Sequence, residues 1–132
     1  MTKFAHAEIS FTKRISAHFE ISRLDHSIKN IFVLPGVIVP LSVCPGLLNI
    51  QLVRRLLLAF VAITLVACSN YVINEVLDAP FDRLHPVKRN RPAARGLVHT
   101  GAAYAQWLLM MAVGIAISLS ISRLFALAAF AL

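Results

Sequence analysis

Three long runs of this chain contain no Asp, Glu, Lys or Arg: Asn30 to Val53, Leu56 to Asn74, and Gly96 to Ser122. Each reaches the roughly 18–20 residues that a helix needs to cross a bilayer. None alternates polar with apolar positions, as the strands of a membrane barrel would, and only helices or closed barrels satisfy their backbone inside lipid. The runs predict an all-α, polytopic transmembrane helix bundle. Composition points the same way. The chain is 58% hydrophobic and 14% charged, whereas a soluble domain carries about 25% charged residues, so its apolar mass exceeds what a small core would take up.

The spans are expected at about 28–48, 52–77 and 100–121. After Arg123 the sequence stays apolar from Leu124 to Leu132, too short a stretch to cross a bilayer as a helix. It reads as a truncated fourth span, and the chain is expected to be part of a longer one. Pro35, Pro40 and Pro45 remove backbone donors from the first span, so that span is expected to bend or stop early, with Pro45-Gly46 at its outer end. Two regions follow: 1–27, a cytoplasmic segment that is amphipathic or partly disordered, and 28–132, an incomplete transmembrane domain. Ile15, Phe19, Ile21 and Leu24 give residues 1–27 a rough apolar side. That segment either lies in the membrane interface or, over residues 1–14, forms a partly ordered tail. It lacks the apolar stretch of a cleavable signal peptide. Cys44 and Cys68 fall within predicted spans, without metal-ligand spacing, and are expected to be small packing residues.

Charge sets the orientation. Of the 13 Lys and Arg residues, Lys3, Lys13, Arg14, Arg23 and Lys29 precede the first span. Arg83, Lys88, Arg89, Arg91 and Arg95 lie between the second and third, and only Arg54, Arg55 and Arg123 fall on the other side. The positive-inside rule then puts the N-terminus and the 75–99 loop in the cytoplasm of an inner or plasma membrane. The net charge of +7 thereby has a topological explanation. Nucleic acid is not an expected partner, because the basic residues flank spans and lack interleaved aromatics.

Of the six acids, Glu75, Asp78 and Asp82 cluster at the inner end of the second span. Ionisable groups there are costly and mark candidate sites. Asn70, Asn74, Asp78 and Asp82 recur every four residues, which stacks them along one helix face. Pro80 disturbs that geometry, and Asp82 falls either in the helix or in the loop beyond it. Hard oxygen donors suit Mg²⁺, which is commonly held by one or two carboxylates plus substrate phosphates. Arg83, His85, Lys88, Arg89 and Arg91 follow at once. Acids and bases packed this closely neutralise one another unless a metal-bridged diphosphate lies between them. The competing reading is a solvated helix cap. Nearby, Trp107 is either an interfacial anchor or a packing residue, and Tyr71 and Gln106 either line a cavity or pack as polar links between helices. His85 and His99 fit a surface or phosphate-neighbouring place better than metal ligation.

The stretch Asn74-Glu75-Val76-Leu77-Asp78-Ala79-Pro80-Phe81-Asp82, followed by Lys88-Arg89-Asn90-Arg91-Pro92 and by Gly96, resembles the first aspartate-rich motif of the UbiA-type membrane prenyltransferases. The segment from Arg23 through Lys29 to Phe32 resembles that family's approach to its first helix. The resemblance covers about 20–122. It implies a fold of nine transmembrane helices around a cavity. It also implies Mg²⁺-dependent transfer of a prenyl group from a polyprenyl diphosphate to an acceptor, often an aromatic ring, with membrane lipid around it. On the matching positions, Asn74, Asp78 and Asp82 would hold the metal. Lys88 and Arg91 would contact the diphosphate, joined by Arg23, Lys29 and Asn70. Glu75 stands where many members have Asp. The family's second acidic motif is absent, since nothing after Asp82 is acidic, so the missing C-terminal half is an expected partner and the fragment alone is expected to be inactive. Two alternatives stay open: phosphoribosyl transfer from a sugar diphosphate to a polyprenyl phosphate, and a non-enzymatic membrane subunit or remnant. A cation transporter fits poorly, because the acids sit at a helix end and not at midplane.

Overall fold

The structure, a computed structural model, describes residues 10–25 and 34–132. Described residues form helices joined by turns, with no strand among them. Five α-helices follow in order: α1 (Phe11–Ile21), α2 (Leu34–Val43), α3 (Ile50–Asp82), α4 (Thr100–Ile121) and α5 (Arg123–Phe130). Short 3-10 turns occupy Pro45–Leu47 and Lys88–Asn90.

Two helices are long and apolar enough to cross a membrane, α3 with 33 residues and α4 with 22. The expected first span falls partly outside the described residues. Its described part, α2, is a ten-residue apolar helix that stops at Val43. Pro45 then enters the 3-10 turn at its first position, where a missing N–H costs nothing. The segment expected to open a fourth span forms α5, a helix of eight residues. Ser122 breaks it from α4 with an extended backbone (φ −167°, ψ 158°), and the Ser122 hydroxyl caps the new helix by accepting the Phe125 amide at 3.0 Å. The starts of α3 and α4 are capped similarly: Asn49 Oδ1 accepts the Leu52 amide at 2.8 Å and His99 Nδ1 accepts the Ala102 amide at 3.2 Å.

The centre of the molecule is the packing of α3 against α4. Small residues make the approach possible: Ala62, Ser69 and Ser118 are buried, and Gly114 faces α3. A methyl group on Gly114 would meet Val66 Cγ2 at 2.8 Å and the Ala62 carbonyl at 3.2 Å. Helices in lipid gain little hydrophobic drive from meeting, so close backbone approach and dispersion hold them together. Ser69 and Ser118 return their hydroxyls to the Val66 and Gly114 carbonyls at 2.7 and 2.9 Å, which leaves no hydroxyl proton unsatisfied at the contact. Cys68 is wholly buried here, as a packing residue would be, whereas Cys44 is exposed.

At the C-terminal end of α3, α1 docks onto α3 and α4. Ile21 is fully buried with Val72 and Ala103, and Val76, Val98 and Trp107 pack around them. Trp107 is therefore a packing residue. Helix α1 starts at Phe11, inside the stretch for which a partly ordered tail was one of two readings.

Candidate functional site

The long reach of α3 delivers the acids. Residues 71–82 form its last three turns, and the helix runs through Pro80 to Asp82. The loop folds back beneath these turns and holds them. Arg83 Nε donates to the Ala94 carbonyl at 3.1 Å, and Ala79, Pro92, Ala93 and Ala94 are buried together. The helix continues past Pro80 although the proline ring deletes one backbone bond. The four-residue spacing thus stays in helical register to its end.

A cleft of about 120 Å³ opens on this face, lined by Arg23, Tyr71, Asn74, Glu75, Asp78 and Arg91. On an ideal helix Asn74, Asp78, Tyr71 and Glu75 share an arc of about 100°, so one side of α3 supplies four of the six walls. Arg23 reaches in from the end of α1 and Arg91 from the loop. Asn74 and Asp78 are exposed at the mouth, whereas Glu75 and Asp82 are only 5% and 4% accessible.

The buried acids back the two arginines. Arg91 Nη1 donates to Asp82 Oδ2 at 2.7 Å. Arg23 Nε stands 3.8 Å from Glu75 Oε2, and its guanidinium lies 6.0 Å from the centre of the Tyr71 ring, within reach of a cation–π attraction. Ala93 approaches the Glu75 carboxylate with its backbone amide, while Glu75 Oε1 is buried without a hydrogen bond of good geometry. A buried carboxylate oxygen left open is costly unless a donor or cation reaches it. Among the described residues no three His, Cys, Asp or Glu side chains converge as a metal set. The cleft offers two carboxylates, from Glu75 and Asp78, plus the Asn74 amide.

Of the residues singled out in the sequence, Asn74, Asp78, Arg23 and Arg91 come together at the cleft. Asp82 stands behind it, paired with Arg91. Asn70 is half-buried one turn earlier and Lys88 sits exposed on the 3-10 turn, and neither lines the cleft. Lys29 lies outside the described residues. His85 Nδ1 accepts the Val87 and Lys88 amides, each at 3.2 Å, and so shapes the loop. Two further cleft residues, Tyr71 and Glu75, were noted in the sequence without an assigned ligand role. Tyr71 lies three residues before Asn74, and Glu75 three before Asp78, spacings that place both on the stripe's face. A larger hollow of about 400 Å³ lies between α2 and the start of α3. It is some 30 Å from Glu75 along the helix and has no acid in its lining.

Fold and site together define a membrane-integral helical protein with an acid-and-arginine cleft at one end of its longest helix. The chain belongs to the UbiA prenyltransferase family, whose profile matches residues 32–132. It is 36% identical over 80 residues to the decaprenyl-phosphate phosphoribosyltransferase of Mycobacterium tuberculosis, covering 58% of this chain and 26% of that protein. It is 33% identical over 111 residues to the nodulation protein NoeC of Azorhizobium caulinodans, covering 83% of this chain and 34% of the relative. It is 31% identical over 64 residues to the digeranylgeranylglyceryl phosphate synthase of Sulfurisphaera tokodaii, covering 48% and 22%. The chain thus spans between about a fifth and a third of the length of these relatives. No solved structure matches it.

Proposed function

We propose that this chain supplies the diphosphate-binding part of a membrane-embedded transferase, one that moves a prenyl group from a polyprenyl diphosphate to an acceptor. The observation that carries the reading is the cleft itself, where two arginines, each backed by a buried carboxylate, face an exposed Asp78 and Asn74. Arginine is suited to bidentate recognition of phosphate. The exposed Asp78 and Asn74 beside two arginines supply oxygen ligands for a metal next to cations for a diphosphate.

The donor chemistry fits Mg²⁺. The candidate ligands lining the cleft, the Glu75 and Asp78 carboxylates, the Asn74 amide oxygen and the Tyr71 hydroxyl, are all hard oxygens. Asn74 and Asp78 would hold the ion, and Asp82 would join them by releasing Arg91. When bound, Mg²⁺ supplies Lewis-acid neutralisation of the diphosphate oxygens. The chain's own residues do the rest. Arg23 and Arg91 take up the negative charge that grows on the leaving diphosphate as the carbon–oxygen bond breaks heterolytically. The acceptor's electron pair then forms the new bond to the electron-deficient carbon, and the acceptor loses a proton. Apolar helix faces keep water from that carbon.

Placement in the membrane follows the charge bias and the length of α3. That helix is about 50 Å long, against about 30 Å of hydrocarbon. With Arg54 and Arg55 at the outer boundary, the inner boundary falls near Glu75, so Asp78 and Asp82 project into the cytoplasmic headgroup region. The reading retains three spans and a fourth beginning at Arg123, with residues 1–27 and the 75–99 loop cytoplasmic.

Phosphoribosyl transfer to a polyprenyl phosphate is the second reading, favoured by the similarity to a decaprenyl-phosphate phosphoribosyltransferase. The same cleft would then hold the diphosphate of the sugar. Equilibrium binding of a prenyl diphosphate and of phosphoribosyl diphosphate to the chain in nanodiscs separates the two. The first reading predicts that the prenyl donor binds at least tenfold more tightly, a margin of about 1.4 kcal/mol. Preference for the sugar donor supports the second, and binding of neither removes both.

A further inference from the structure

We infer that Gln106, in the middle of the inner half of α4, is a positioning residue for Arg23 and so sets the cleft's affinity for a diphosphate. The inference rests on the proposed diphosphate reading of the cleft but names a residue outside it. Gln106 makes three polar contacts, all to the end of α1. Its Oε1 accepts from His18 Nδ1 at 2.8 Å, and its Nε2 donates to the His18 carbonyl at 3.0 Å and to Ser22 Oγ at 2.7 Å. Ser22 in turn donates to the His18 carbonyl at 3.1 Å and is only 3% accessible. One amide thereby ties the last turn of α1 at two points four residues apart.

Arg23 follows directly. Its backbone sits at φ +47°, and among the described residues no other non-glycine has a positive φ. Side-chain-bearing residues resist this region, and such a conformation persists only where the surroundings dictate it. Here the anchored Ser22 fixes the residue before it, while Glu75 and the Tyr71 ring receive the guanidinium beyond it. With the anchor gone, Arg23 is free to relax to a negative φ, which swings its side chain away from the cleft. The hydrogen bonds of Gln106 run to His18 and Ser22, so its influence on the cleft passes through Ser22 to Arg23.

The test is a double-mutant cycle on the full chain in nanodiscs, reading Kd for inorganic diphosphate with Mg²⁺ by calorimetry. Gln106→Met keeps the volume and removes the hydrogen bonds, and Ser22→Ala removes only the hydroxyl. Trp107, the single tryptophan, packs against the buried cluster that Ile21 forms with Val72 and Ala103 and reports by its emission whether α1 stays docked. Arg23→Ala is expected to weaken binding roughly tenfold and Gln106→Met by a comparable factor, with the double variant no weaker than Arg23→Ala alone. Ser22→Ala is expected to move in the same direction by a smaller factor, and it decides the matter if Gln106→Met unfolds. Unchanged affinity in Gln106→Met, or an equal further loss when it is added to Arg23→Ala, overturns the inference and leaves the cleft reading standing. A wild-type chain with native Trp107 emission that binds no diphosphate overturns the cleft reading and the inference together.

Discussion

Asp82 and Arg91 form the shortest ion pair described in the molecule, 2.7 Å with the acid 4% accessible. Removing one partner of such a pair strands the other. Arg91 is itself partly open, 27% by side chain, so water recovers some of the loss. Arg91→Ala is expected to destabilise the chain by about 1–3 kcal/mol, measured as a shift in detergent unfolding followed by Trp107 emission. Adding Asp82→Asn should restore most of that stability, because the buried charge is then gone; no restoration would place the Arg91 contribution elsewhere. The stripe of Asn74, Asp78 and Asp82 was legible in the sequence because a four-residue recurrence is a statement about one helix face. The division of labour along it was not. Which acid faces the cleft and which backs an arginine depends on where the loop brings Arg91, and a run such as Lys88-Arg89-Asn90-Arg91 does not reveal which of its cations turns inward. Tyr71 was legible only as ambiguous, and Gln106 likewise, since their partners lie on other helices.

At the scale of elements, α3 and α4 follow from their charge-free runs, and their contact follows from where small residues fall. Gly114 is the tightest point. Gly114→Val should cost about 1–3 kcal/mol through overpacking against Val66 and the Ala62 carbonyl, with Gly114→Ala losing less because alanine improves helix propensity. The same Trp107 unfolding measurement checks both, and a Gly114→Val variant as stable as the wild type would mean that the helices are less closely packed than described. Two features at this scale escape sequence reasoning. Pro80 left open whether the helix reaches Asp82, and α3 does continue past it, with Arg83 bonded to the Ala94 carbonyl and Ala93 and Ala94 buried beneath its last turn. The docking of α1 was also hidden, since its apolar side suits a membrane interface as well as a helix pair.

For the whole molecule, the bias of ten basic residues against three predicts an orientation that labelling can check. A membrane-impermeant maleimide should modify exposed Cys44 from the outer side only, and a cysteine at Arg89 from the cytoplasmic side only, while wholly buried Cys68 resists in both. The reverse pattern would invert the topology and remove the cleft from the cytoplasmic face. The same arrangement gives the account its central claim, that the inner end of α3 binds a metal–diphosphate between Asn74, Asp78 and the two arginines. The most direct measurement is calorimetric titration of inorganic diphosphate into the nanodisc-embedded chain, with Mg²⁺, without it, and with Asp78→Ala. The account predicts saturable binding that requires Mg²⁺ and falls at least roughly tenfold in Asp78→Ala, with Trp107 emission unchanged. Binding that is indifferent to Mg²⁺ and to Asp78, or no binding by a folded chain, would contradict it.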